Sequence, residues 1–529
     1  VNRSESLKRI TAFAGDWDFL VIGGGATGLG TAVEAASRGY RTVLVEQDDF
    51  AKGTSSRSTK LIHGGLRYLR RGDVHLVRES LRERALLLRN APHLVRAVSF
   101  IVPNYAWWER PYYGAGLKLY DLLAGQLRTA RSEHISRDQV LEHLPTLRPV
   151  RLRGGIRYFD GQFDDARLAV CLAQTLEDLG GTAVNYVCVE SLLKKGGRVC
   201  GAAARDVESG DVCQIRARAV VNATGVFTDA VRRMDDGEAR QIITASQGAH
   251  LVLDKSFLPG DSALMLPKTD DGRVLFAIPW HERTLIGTTD TPTRELSLEP
   301  QPLRAEIEFL LAHAGRYLTR RPVERDIRSA FAGLRPLVKV KRERKTARLS
   351  RDYAVLVSRS GLVTIAGGKW TTYRRMGEDA VNAAVRGAGL ERRPSRSETL
   401  RLHAWTTAHE TTPHRDAYGA DNPRLTAMLE ENVEWTKPLH PRLPYCAGEV
   451  VWAARNEMAR TVEDTLARRT RALLLDASAS LEIAPEVAAL LAKELGRDEQ
   501  WEKAQVSVFR TLAGGYLPNR PQNELPPGN

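Results

Sequence analysis

Cysteine is scarce and scattered in this chain. Cys171, Cys188, Cys200, Cys213 and Cys446 are odd in number and never form a C-x-x-C pair. A disulfide framework and a zinc site both need regular, close spacing, so reduced core thiols are the expectation and no metal is expected. Long apolar runs are also missing: nothing approaches the roughly 18 residues that a bilayer span requires. The start, VNRSESLKRITAFAGDWDF, lacks the apolar core of a signal peptide. A cytosolic-side location is expected, with attachment to a membrane surface left open. Zinc modules, an aromatic RNA-binding signature and a concentrated basic helix are absent as well, so no nucleic acid is expected as a partner.

Positive charge, by contrast, is in excess. Lys and Arg number 77 against 64 Asp and Glu, a formal net charge of +13. This balance favours anionic partners, whether acidic metabolites, nucleic acid or anionic lipid, without choosing among them. At 529 residues the chain is too long for one ordinary core, so two or three domains are expected.

The first informative stretch is DFLVIGGGATGLGTAVEAASRGYRTVLVEQ, residues 18–47. An apolar run, a glycine turn, an alanine-rich helix and a second apolar run read as βαβ. Gly23, Gly25 and Gly28 satisfy G-x-G-x-x-G between strand and helix, and Glu46 closes the second strand 18 residues beyond Gly28. The first glycine permits the tight turn, the second lets a pyrophosphate approach the backbone, and the third lets the helix pack. The carboxylate is placed to accept from a ribose hydroxyl. Two more strand ends break into small-residue turns far along the chain, VVNATG at 220–225 and TIAGGKWTTYR at 364–374. Three such ends suggest a large cofactor gripped along its length, which favours FAD over NAD.

Between the first two turns, residues 53–73 read GTSSRSTKLIHGGLRYLRRGD. Hydroxyls, paired glycines and cations directly after a buried strand suit an anion-holding loop as well as a solvated one. Residues 164–180 have helical spacing, and 248–291 alternate and turn as antiparallel strands do. A polar, proline-interrupted stretch at 391–400 reads as a linker, mostly helical patterns follow, and the last residues read as a disordered tail.

Seven segments in one order carry a specific resemblance: DFLVIGGGATGLG, GTSSRSTKLIHGGLRYL, VVNATGVFTD, IPWHERTLIGTTD, AGLRPL, SRDY and AGGKWTTYR. Together they closely resemble the FAD-dependent, quinone-reducing glycerol-3-phosphate dehydrogenases of respiration and glycerol metabolism, over about residues 16–390. The helical end also looks like that family's C-terminal domain. The resemblance implies an α/β fold: a Rossmann-type FAD-binding domain of the glycine-oxidase-like flavoprotein type, with an inserted antiparallel β-sheet substrate domain and a helical C-terminal domain. The expected divisions are 1–95, 151–245 and 351–390 for the FAD domain, 96–150 and 246–350 for the substrate domain, and 391–529 for the helical domain. It further implies non-covalently bound FAD, sn-glycerol 3-phosphate as donor, hydride transfer from C2 to flavin N5, and membrane quinone as acceptor.

By the same resemblance the cofactor contacts are Gly23, Gly25, Gly28, Glu46, Thr54, Ser55, Ser56, Gly64, Gly65, Leu66, Val187, Ala223, Gly225, Gly368, Lys369 and Thr371. Arg67 and Tyr68 resemble the family's substrate-contacting pair, and Arg335 in AGLRPL a second substrate arginine. A guanidinium fork suits phosphate, and holding that remote group orients C2. His250 matches an active-site histidine and is the first choice for general base, with an arginine-assisted water as the alternative. Arg67 and Arg335 complete the expected catalytic set. His63 is a competitor, but its glycine neighbours point to the cofactor loop. Lys369 at a helix start suits an anionic reduced cofactor and the substrate, and Arg351 in SRDY is a weaker substrate candidate.

Quinone is a lipid, so a surface must reach the bilayer. Residues 107–125, WWERPYYGAGLKLYDLLAG, concentrate aromatics with a few cations, which suits either a headgroup region or the capping of a core. The expectation is a peripheral protein on the cytoplasmic side, on an anionic lipid surface, with no transmembrane segment and with room for a homodimer. The related oxidases carry an added segment between GLRPL and RDY; Leu337 to Ser350 is short here, which argues against that rival. Amine oxidation on the same fold is disfavoured by LIHGGLRYL and GGKWTTYR.

Overall fold

A computed structural model describes residues 2–65, 73–127, 130–266, 269–270, 272–339, 353–410 and 412–518. The apolar run Trp17–Ile22 is the centre of the first sheet. It lies parallel to Thr42–Val45 on one side and to Val212–Asn222 on the other. Thr182–Val184 extends the sheet in parallel beyond Thr42–Val45, Val363–Gly367 pairs in parallel with Val212–Asn222, and antiparallel Tyr353–Val357 forms the edge. Both faces of such a sheet must be covered, which explains a strand without alternating polarity. Phe19 and Val21 face the helices Ala26–Ser37, Asp165–Asp178 and Tyr373–Ala388, whereas Leu20 and Ile22 face the hairpin of Val187–Lys195 and Arg198–Asp206.

The second sheet is mostly antiparallel and is built from segments between those of the first. Its described strands run in the order Thr291–Thr293, Ile243–Asp254, Arg283–Gly287, Leu275–Trp280, Ala263–Leu266, Val95–Asn104, Gly154–Phe163 and Leu61–Ile62. Ile327–Val338 pairs along Ile243–Asp254, and Glu133–Ile135 along Gly154–Phe163. One difference from the sequence reading is topological: Gly154–Phe163 was expected in the first domain but pairs over its whole length with Val95–Asn104. Its burial on both faces resembles that of a central parallel strand, and periodicity cannot separate the two. Leu251 and Leu253 pack toward the helix Arg304–Tyr317, whereas Val252 and Phe331 face the C-terminal helices. Successive side chains on a strand alternate, so His250 shares the face of Val252.

The C-terminal region packs Ala447–Asn456, Ala477–Leu495 and Glu499–Gly514 against that face. The helical patterns expected over AGEVVWAARNEMARTVEDTLARRTRALLLD are three separate elements, Ala447–Asn456, Asp464–Arg469 and Ala472–Leu475. Asp464–Arg469 has π geometry, closed by the Thr470 amide donating to the Thr465 carbonyl at 2.9 Å. This turn drives three arginines into the molecule. Arg468 and Arg469 reach Asp49 at 2.5 and 2.6 Å, and Arg471 reaches Asp165 at 2.9 Å. Asp49 follows the second strand of the first sheet, so the helical region is fastened to the nucleotide-binding frame by buried ion pairs. The 391–400 segment is largely exposed or half-buried but is pinned at Ser397, which is buried and accepts from Arg374 at 3.1 Å.

Candidate active site

One cavity of about 1560 Å³ runs between the two sheets. It exceeds the roughly 300–1,000 Å³ of ordinary small-molecule clefts, as a dinucleotide together with a substrate would require. At one end lies the glycine turn. Gly23 sits at φ +112°, and a Cβ on Gly28 would come within 1.8 Å of the Gly23 carbonyl oxygen, so turn and helix approach as only glycine allows. The helix begins at Ala26, whose amide donates to Ser55 Oγ at 2.9 Å. Glu46 accepts from the amides of Gly24 (2.5 Å) and Asp48 (3.0 Å). Burial nevertheless pushes its carboxyl up to about 7.

Of the expected cofactor contacts, Gly23, Gly25, Glu46, Thr54, Ser55, Gly65, Val187, Ala223, Gly225, Gly368, Lys369 and Thr371 all line this cavity. Three others lie behind its wall. Gly28 packs on the Gly23 carbonyl. The Ser56 carbonyl accepts from Lys60 (2.7 Å) and Arg471 (2.9 Å). The Gly64 amide donates to the Tyr120 hydroxyl at 3.0 Å. Thr54 lines the cavity, but its hydroxyl donates to the Leu334 carbonyl at 2.6 Å. Leu66, Arg67, Tyr68 and Arg351 lie outside the described residues.

The other end is made of side chains from the second sheet. His250 lies opposite both Phe331 and Gly287 in its two strand pairings. Its ring stacks on Phe331 with centroids 4.9 Å apart, and Nε2 lies 2.9 Å from Thr59 Oγ1. A Cβ on Gly287 would meet the ring at 2.1 Å, so the neighbouring strand leaves no slack on that side. Burial holds His250 well below the usual imidazole range, and the charges of Lys60 and Arg335 add to this. Arg335 lies opposite Ser246 on the same pair of strands. It donates to the carbonyls of Gln247 (3.2 Å) and Thr289 (2.9 Å) and to Thr288 Oγ1 (3.0 Å), with Asp290 Oδ1 at 3.5 Å. Its guanidinium is thereby aimed by backbone and a carboxylate. Lys369 also reaches the cavity and donates to Ser80 Oγ at 3.2 Å.

The sequence reading named Thr59 and Lys60 only as members of a hydroxyl- and cation-rich loop; their place beside His250 has no local signal. Thr288 and Asp290 stand in the quoted IGTTD, yet nothing there shows that they meet Arg335. Residues 107–125 divide between the two readings offered for them. Tyr120 and Leu117 are buried, whereas Trp107 and Leu122 are each 75% exposed. Tyr112, Tyr113 and Leu119, on the helix Glu109–Ala124, line the cavity.

A glycine turn with a buried carboxylate, opening into a cavity that ends on a second sheet, is the arrangement of a flavin-dependent oxidoreductase. Residues 18–374 match the family model described as FAD dependent oxidoreductase, and 381–502 that described as the C-terminal domain of alpha-glycerophosphate oxidase. The human mitochondrial glycerol-3-phosphate dehydrogenase is 41% identical over 94% of this chain and 73% of its own. The mitochondrial glycerol-3-phosphate dehydrogenase of Arabidopsis thaliana is 38% identical over 94% and 85%. A crystal structure of the glycerol-3-phosphate dehydrogenase from Bacillus halodurans complexed with FAD superposes with a TM-score of 0.81 at 29% identity, covering 99% of both chains. Glycine oxidase from Geobacillus kaustophilus, at 18% identity and a TM-score of 0.54, shares the fold. The chain therefore belongs to the glycerol-3-phosphate dehydrogenase family of FAD-dependent oxidoreductases.

Proposed function

We propose that the protein oxidises sn-glycerol 3-phosphate to dihydroxyacetone phosphate and passes the electrons to membrane quinone. FAD, held at the glycine turn, Ser55 and Glu46, would supply the hydride acceptor. The observation that carries this reading is the presence of His250 and Arg335 on paired strands, in the same cavity as the glycine turn and Glu46. The fit to the cofactor rests on that end of the cavity: backbone amides, a helix start capped by Ser55 and a buried carboxylate for a ribose.

Arg335 holds the phosphate or the C2 oxygen, assisted by Arg67 and Tyr68, which follow the cavity-lining Gly65 in sequence. Because the fork of Arg335 is already oriented by the Gln247 and Thr289 carbonyls, little freedom is lost when an anion binds. His250 takes the C2 hydroxyl proton. Burial keeps the imidazole neutral near pH 7, so a proton site is open before substrate arrives. Lys369, which lines the cavity, would favour an anionic reduced cofactor through its positive charge, and Arg351 belongs to the substrate set.

Peripheral membrane contact is assigned to the 107–124 surface, where exposed Trp107, Trp108 and Leu122 lie beside the residues that line the cavity. Aromatic and aliphatic side chains in that combination suit a headgroup layer, and the net charge of +13 suits anionic lipid. Among the described residues no helix is long and apolar enough to cross a membrane.

The test is anaerobic addition of sn-glycerol 3-phosphate to the FAD-loaded protein. Loss of the visible flavin absorbance, restored by a water-soluble quinone analogue, is expected. No loss would overturn the substrate. The match of the C-terminal region to an oxidase domain supplies the rival: recolouring only in air, with stoichiometric peroxide and no quinone reduction, would establish it.

A further inference from the structure

Lys60 is a fully buried cation that the mechanism above does not use. Its Nζ donates to Asp165 Oδ2 and to the Ser56 carbonyl, each at 2.7 Å. It lies 5.5 Å from the centre of the Trp280 ring and 5.3 Å from that of Phe331, the ring on which His250 stacks. Its backbone is left-handed, at φ +62°, a conformation that costs about 1–3 kcal/mol in a residue with a side chain and persists only where the surroundings enforce it. The enforcement is visible. The Lys60 amide donates to Ser58 Oγ at 3.0 Å, and that hydroxyl donates to Asp165. Asp165 is held in turn by Arg471, itself left-handed at φ +65° and also bonded to the Ser56 carbonyl. Two strained residues from distant parts of the chain thus converge on one carboxylate and one carbonyl.

The product of this convergence is the placement of Thr59. With Ser56 tied to the Lys60 side chain, the turn presents the Thr59 hydroxyl to His250 Nε2 at 2.9 Å. We propose that Lys60 is a positioning residue for substrate oxidation: it clamps the 56–60 turn so that Thr59 fixes the His250 ring, and its cation stands behind that ring to keep the imidazole free of a proton. Arg471 extends the clamp into the C-terminal region, which thereby helps build the site. This inference rests on the role given to His250 above.

Among the described residues, the charges acting on His250 are those of Lys60 and Arg335. Those facing Lys60 are Asp165, Asp164 and Arg471. Burial brings the Lys60 ammonium down to about 7, against the pull of Asp165. Lys60 therefore carries its proton throughout the acidic range in which His250 would gain one. Removing that cation must move the protonation of His250 to higher pH.

The test uses Lys60→Met and Thr59→Val in the FAD-loaded full chain, each also combined with His250→Asn. For Lys60→Met, the acid limb of anaerobic flavin reduction by sn-glycerol 3-phosphate is expected to rise by about one pH unit. For Thr59→Val, reduction on the plateau is expected to slow about tenfold, as for loss of one hydrogen bond. Neither substitution should slow reduction further once His250 is Asn. Losses that persist undiminished in that background would overturn the proposal, and Thr59→Val decides it alone if Lys60→Met does not hold FAD. A readout independent of turnover is the carbon-13 resonance of His250 in histidine-labelled protein, identified by its absence from His250→Asn. It should titrate about one unit higher in Lys60→Met; an unmoved titration would overturn the electrostatic role. If wild-type protein is not reduced by sn-glycerol 3-phosphate, the substrate assignment fails, and this resonance still decides the role of Lys60.

Discussion

The two ends of the cavity are built from different materials. The nucleotide end is mostly main chain: a glycine turn, a helix start and one carboxylate, Glu46, held by two amides. The end proposed for the substrate is mostly side chain, with His250 and Arg335 on one strand pair, Thr59 from the loop and Lys60 close to Phe331. Main-chain donors are fixed by the local fold and bind any nucleotide of the right shape. Side-chain donors are chosen one at a time and need outside support to hold their direction. That support comes from the second sheet and the C-terminal arginines, so the specific end of the site depends on the whole molecule more than the generic end does.

The strongest break to this contrast lies at Asp49, where the two frames join. Burial alone would raise its carboxyl, but Arg469 and Arg468 hold it far below the ordinary range. Asp49→Ala leaves two buried guanidinium groups without their shared partner, and a loss of about 3–5 kcal/mol in unfolding free energy is expected from chemical denaturation. FAD retention and substrate reduction should fall together in that variant. Next in size, Arg335→Ala should separate the two ends. Flavin reduction by sn-glycerol 3-phosphate should slow by about 30- to 1,000-fold, equivalent to about 2–4 kcal/mol, with the flavin spectrum retained. Stopped-flow reduction beside an absorbance ratio of flavin to protein checks both halves; a colourless variant would place Arg335 at the cofactor end.

The same contrast explains what was legible in the sequence. The placement of Gly23, Gly25 and Glu46 together at one end of the cavity was readable because a strand–turn–helix brings its residues together within about 30 positions. Apolar runs and turns showed a βαβ start, antiparallel strands over 248–291 and a helical end, whereas the flavoprotein fold type came only through resemblance. His250 and Arg335 were readable only through resemblance, since a histidine or an arginine on a strand carries no local mark of its neighbours. Thr59, Lys60 and Asp290 were in plain view in quoted motifs, but their partners lie at Asp165, His250 and Arg335, fixed by strand register that no short stretch encodes. Gly154–Phe163 was misplaced for the related reason that a doubly buried strand reads alike in either sheet. The ion pairs of Asp49 with Arg468 and Arg469, more than 400 residues apart, had no sequence signal at all.

At the nucleotide end, Glu46 offers a smaller and sharper test. Its carboxyl titrates near 7 because burial opposes its charge. A ribose hydroxyl donates best to the ionised form, so FAD affinity should strengthen as pH rises through about 7. In Glu46→Gln that dependence should vanish and affinity above pH 7 should fall by about 10- to 100-fold, read from the fluorescence of free FAD. Substrate reduction at saturating FAD should change little, the mirror image of Arg335→Ala.

The smallest effect is expected far from either end and serves as the control. His403 bridges Asp178 at 2.7 Å and Asp421 at 2.8 Å, joining the helix Asp165–Asp178 to the start of Asn422–Glu431. Burial opposes its charge, but the hydrogen bonds to those carboxylates carry it from 6.5 up to about 9. A histidine whose folded value is raised contributes its stability in full below the unfolded value and loses it as pH rises through the folded one. His403→Gln should therefore cost about 1 kcal/mol below about pH 6.5, and the deficit should close between there and about pH 9. Thermal midpoints of both proteins across that range measure it. If FAD affinity and substrate reduction stay unchanged while the midpoint falls, the effects at Asp49 and Arg335 are those of the site's own frame; parallel losses here would mean that general destabilisation explains them.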